Sequence, residues 1–87
     1  MRLDISKYNV IYNKNEEGFI GYGKDILRLY KDYMRQLVDD EMYDCDEIQL
    51  VLNHIKDLKL ISEDTLIHTY FDNFDNMYRI DVVSCEV

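Results

Sequence analysis

Proline is absent from this 87-residue chain, and glycine occurs only at positions 18, 21 and 23. With no proline and no low-complexity stretch there is no linker, so residues 1–87 read as a single domain with short connections. The glycines are not followed by the lysine and serine or threonine of a phosphate-binding loop, which removes that nucleotide chemistry. The two cysteines, Cys45 and Cys85, are far apart, with no cysteine or histidine companion at metal spacing. They read as free thiols in a reducing compartment. No apolar run is long enough to span a membrane, and residues 1–4 begin no signal-peptide pattern, so a cytoplasmic location is expected.

Catalytic constellations are missing too. His54 and His68 are the only histidines, and nothing in their spacing demands a partnership with either cysteine. His68, beside Thr69 in a β-rich stretch, reads as a hydrogen-bonded structural residue. Asp72-Asn73-Phe74-Asp75 lacks the alternating ligands and distal glutamate of a calcium loop. No catalytic residue, metal or cofactor is expected, and the chain reads as a non-enzyme.

Basic residues are scarce in one half. Residues 1–43 hold eight acids and seven bases; residues 44–87 hold ten acids and three bases, for a net charge of −8 overall. Such a chain repels nucleic acid and membrane surfaces and is drawn to basic protein surfaces. Its eight tyrosines therefore read as packing or interface residues, not as platforms for bases. Between Val38 and Asn53 stand six acids and no base: Asp39, Asp40, Glu41, Asp44, Asp46 and Glu47. A rigid row of carboxylates can occupy a groove that arginine, lysine and helix N-termini line for DNA. A solvated acidic face with no partner has the same composition.

Residues 8–12 and 19–22 are rich in β-formers and flank a polar loop ending in Gly18, which is a hairpin pattern. Ile26, Leu29, Tyr30, Tyr33, Met34 and Leu37 recur at helical spacing, predicting a helix over residues 24–39 with Lys31 and Arg35 outside. Ile48, Val51, Leu52, Ile55 and Leu58 predict a second helix within residues 47–58. Residues 48–52 also fit a short strand, and an edge strand near 46–51 stays open. Residues 65–71 and 77–83 read as two strands around a turn at 72–76. In the second, Tyr78, Ile80 and Val82 share one face while Arg79 and Asp81 share the other. The order β-β-α-α-β-β predicts an α+β fold: an antiparallel sheet of two hairpins packed against two helices.

Glu63-Asp64-Thr65-Leu66-Ile67-His68-Thr69-Tyr70-Phe71-Asp72 resembles the central strand of the phage-encoded uracil-DNA glycosylase inhibitors. Leu66-Ile67-His68-Thr69, the two aromatic positions and Asp72 carry the likeness, and the acidic turn and the return through residues 77–83 extend it. Asp46-Glu47-Ile48 falls where the family has its Glu-Ser-Ile edge strand. Residues 53–58 fall where it has a short acidic helix, though His54 and Lys56 replace acids there. The family ends in a hairpin that this chain lacks, whereas this chain begins with one, as a circular permutation would produce. That arrangement requires the first hairpin to lie beside the strand at 77–83.

The resemblance implies a DNA mimic that blocks uracil-DNA glycosylase. Asp46 and Glu47, with Asp44 and Asp57 in support, would take the places of phosphates. Leu50, Ile55, Leu58, Ile67 and Ile80, joined by Val10 if the chain is permuted, would line an apolar pocket for the side chain that the enzyme inserts into DNA. The implied partner is a DNA-binding enzyme with a basic cleft, met by a monomer or weak dimer in a host cytoplasm, with no nucleic acid or membrane bound. Two other readings fit the same residues. One is an acidic inhibitor of a host-defence nuclease, similar to an anti-CRISPR protein; the other is a module that dimerises through exposed strands and tyrosines.

Overall fold

Alternation of residues in two hairpins and a 3.6-residue repeat between them become a four-stranded sheet with two helices in the computed structural model, which describes residues 4–15, 17–39 and 44–83. A short 3-10 turn, Ile5–Lys7, precedes β1 (Val10–Asn13), β2 (Gly18–Tyr22), α1 (Gly23–Asp39), α2 (Cys45–Leu58), β3 (Leu66–Asp72) and β4 (Met77–Val82). The expected α+β fold and element order are observed. Every neighbouring pair of strands is antiparallel, in the order β1-β2-β3-β4.

Register decides which side chains meet the helices. Phe19 pairs with Thr69, Gly21 with Ile67, Thr69 with Ile80 and Phe71 with Tyr78, so these residues share one face. The core joins that face to the helices: Phe19 and Ile67 pack with Ile26, Leu29 and Tyr30 of α1 and with Val51, Ile55 and Leu58 of α2. The opposite face carries Ile20, His68, Tyr70, Arg79 and Asp81. Gly18 is required where β2 meets β3, because a Cβ there would run into the Thr69 carbonyl oxygen.

Two expectations are corrected. Residues 46–51 form no edge strand: they are the first half of α2. Asp44 caps that helix by accepting a hydrogen bond from the Asp46 amide at 2.9 Å, and Val51, His54, Ile55 and Leu58 bury at helical spacing. The apolar stripe is rotated from the expected one, so that Leu52 is exposed and His54 is buried in the core. The first hairpin, moreover, does not lie beside β4. It joins the sheet through β2 and β3, on the opposite side of β3, so the adjacency that a circular permutation needs is not present. The acids Asp40 and Glu41 and the thiol of Cys85 lie outside the described residues, and Cys45 is an exposed free thiol.

Candidate interaction surfaces

The α2 acids divide by environment. Asp44 and Asp46 are exposed at the first turn, where negative charge also suits the helix dipole. Glu47 is half-buried and accepts a hydrogen bond from the Tyr33 hydroxyl of α1. Burial raises the Tyr33 pKa, and the Glu47 hydrogen bond and charge raise it further. Tyr78 is pushed up to about 12 by burial and then by the charge of Glu47. Glu47 is thus committed to its own fold, tying α2 to α1. Asp57 is exposed, eleven positions after Asp46. At 3.6 residues per turn these two share a helix face, about 16 Å apart along the axis. Between them Gln49 donates to Asn53 at 3.0 Å, and residues 44–55 contain no lysine or arginine.

Five of the six residues expected to line an apolar pocket come together. Ile55, Leu58 and Ile67 are buried in the core, Val10 and Ile80 pack against them partly covered, and Leu50 is half-buried on α2. The first five have one another and the rest of the core as neighbours, which is the arrangement of an ordinary helix-sheet interface.

An open cleft of about 380 Å³ lies instead at the far end of the sheet, lined by Tyr70, Phe71, Asp72, Asn73, Phe74 and Asp81. The β3–β4 turn builds it. Asp72 Oδ1 accepts from the Phe74 amide at 2.9 Å and the Asp75 amide at 3.3 Å, and Oδ2 accepts from Arg79 Nε at 3.1 Å. The amide of Asp75 and then the Arg79 guanidinium hold the Asp72 carboxyl below the usual range. Arg79 also reaches Asp75, so its guanidinium is fixed at both ends. Tyr70 is bonded to Asp81, and partial burial together with the Asp81 charge and hydrogen bond raises its pKa. Phe74 is 100% exposed. Alternation alone put Arg79 and Asp81 on one face, but only the pairing of β3 with β4 brings Tyr70 opposite Arg79 on that face.

His54 is the third feature. It is 2% exposed, stacks on Tyr78 with ring centroids 4.8 Å apart and meets Tyr30 edge-on at 4.4 Å. Its Nε2 lies 2.8 Å from Thr69 Oγ1, and the Tyr30 hydroxyl bonds the same threonine. Nδ1 has no partner. A bare buried lone pair costs less than an orphaned N–H, so the favoured tautomer carries its proton on Nε2 and donates to Thr69. Burial depresses the His54 pKa to about 4. The ring is neutral and enclosed, which suits a packing role. His68, on the other sheet face, is 9% exposed and stacks on Tyr70 at 5.1 Å.

Among the described residues, no group of three or more histidine, cysteine or acidic side chains is placed to hold a metal, and no helix is long and apolar enough to cross a membrane. No protein-family model, curated protein or solved structure matches the chain.

Proposed function

We propose that the protein acts by binding, through carboxylates, a protein surface whose arginines and lysines ordinarily hold DNA, with uracil-DNA glycosylase as the named target. The outer face of α2 carries this reading: Asp44, Asp46 and Asp57 are exposed, and the first lysine or arginine of the helix is Lys56. Asp46 and Asp57 stand in for phosphates. Asp44 adds charge while it caps the helix, and Glu47 braces α2 from behind. Long-range attraction steers a carboxylate-rich face into a positive cleft, and hydrogen bonds there fix its register.

The apolar half of the glycosylase-inhibitor mode has less support. Ile55, Leu58 and Ile67 fill the core, so capture of an inserted side chain would require α2 to move. That observation favours a second reading: an acidic inhibitor of another DNA-binding enzyme, such as a host-defence nuclease, which needs the same carboxylates and no pocket.

The deciding experiment is an activity assay of uracil-DNA glycosylase with the wild-type protein and with Asp46→Asn/Asp57→Asn. Inhibition at micromolar protein, weakened in the amide variant, is the expected result. No inhibition at that concentration removes the glycosylase as target. Inhibition that survives both amides unchanged removes charge mimicry by α2.

A further inference from the structure

We infer that the cleft at the β3–β4 end of the sheet receives one arginine side chain from a protein partner. This extends the reading above, of a basic partner, to a second place on the molecule. The cleft combines two chemistries. Tyr70 and Phe74 supply aromatic rings, and Asp72 and Asp81 supply carboxylates. An aromatic face attracts a cation, and a carboxylate takes N–H donors. A guanidinium satisfies both, because it is planar, stacks on rings and presents a fork of donors, whereas a lysine ammonium offers only a strongly hydrated point charge.

The chain's own cation does not fill the cleft. Arg79 is held by Asp72 and Asp75. It offsets the charge of Asp72, whereas among the described residues no lysine or arginine is paired with Asp81, which lies opposite His68 in the sheet register. Asp81 is exposed and interacts with Tyr70; an ionised carboxylate has about four lone-pair sites, so acceptor capacity remains. Phe74 is fully exposed at a turn pinned by Asp72 and Arg79, so its ring is open to a partner at the cleft. The remaining ligand classes fit poorly. An anion meets two carboxylates, a neutral apolar group would strip them of water without compensation, and among the described residues no group of ligands is arranged for a metal.

The probe is N-acetyl-arginine amide, titrated into the isotope-labelled full chain and followed by amide chemical shifts. Saturable shifts confined to residues 70–74 and 79–81, with a millimolar dissociation constant, are expected. The lysine analogue should bind more weakly, and the uncharged citrulline analogue should not saturate. Phe74→Ala and Asp81→Asn, both at exposed positions, should each weaken binding by roughly two- to fivefold. Asp46→Asn/Asp57→Asn should leave it unchanged. Shifts that never saturate, that spread equally over the α2 carboxylates, or that ignore both cleft variants overturn the assignment. Failure of this titration leaves the α2 reading standing, and failure of the glycosylase assay leaves the cleft standing.

Discussion

At the scale of single residues, His54 gives the clearest link between burial and solution behaviour. Its folded pKa, about 4, lies below the unfolded value near 6.5. Between those values the unfolded chain binds the proton more readily, so stability rises with pH across the window and is lost as pH falls through it. The full effect is about 3 kcal/mol. Urea unfolding at pH 7 and at pH 4.5 should show His54→Gln losing less stability over that interval than wild type. Residues of this kind also mark where the sequence was hard to read. A histidine and a leucine two positions apart exchange their usual places, His54 inside and Leu52 outside. Hydropathy favours the reverse, and it is the Thr69 hydroxyl and the Tyr30 and Tyr78 rings, contributed by other elements, that make the imidazole a good core residue.

Single elements were legible where one local signal dominated. The α1 stripe runs along most of its length and its buried members Ile26, Leu29 and Tyr30 are those the spacing indicates. For α2 the signals conflicted, because Ile48-Gln49-Leu50-Val51-Leu52 suits a strand as well as a helix. The capping aspartate decides between them by engaging the amide of Asp46. Asp44→Ala should therefore cost about 1 kcal/mol in urea unfolding and fray the start of α2. Any loss of partner binding in that variant would mix charge with helix stability. Asp46→Asn keeps the cap and isolates the charge. The capture of Glu47 by Tyr33, fourteen residues earlier, left no trace in local sequence. It separates two adjacent acids into one that faces solvent and one that braces the fold.

For the whole molecule, net charge was legible from composition and sheet order was not. A charge of −8 makes association with a basic partner salt-dependent. The association rate constant should fall as ionic strength rises, and less steeply for Asp46→Asn/Asp57→Asn than for wild type. Sheet order instead depends on β2 meeting β3, where Gly18 pairs with Tyr70 and Tyr22 with Leu66. The two hairpins are local and can close early. The seam between them closes a loop that contains both helices. Loop closure of that length makes the seam the slow, late event of folding. Gly18→Ala, which crowds the seam against the Thr69 carbonyl, should cost roughly 1–3 kcal/mol. If the seam forms after the barrier, that loss will appear in stopped-flow experiments as faster unfolding with little change in the folding rate. Until the seam closes, β2 offers an unpaired strand edge to any neighbouring chain. Crowded or hot refolding should therefore trap Gly18→Ala as aggregates before wild type.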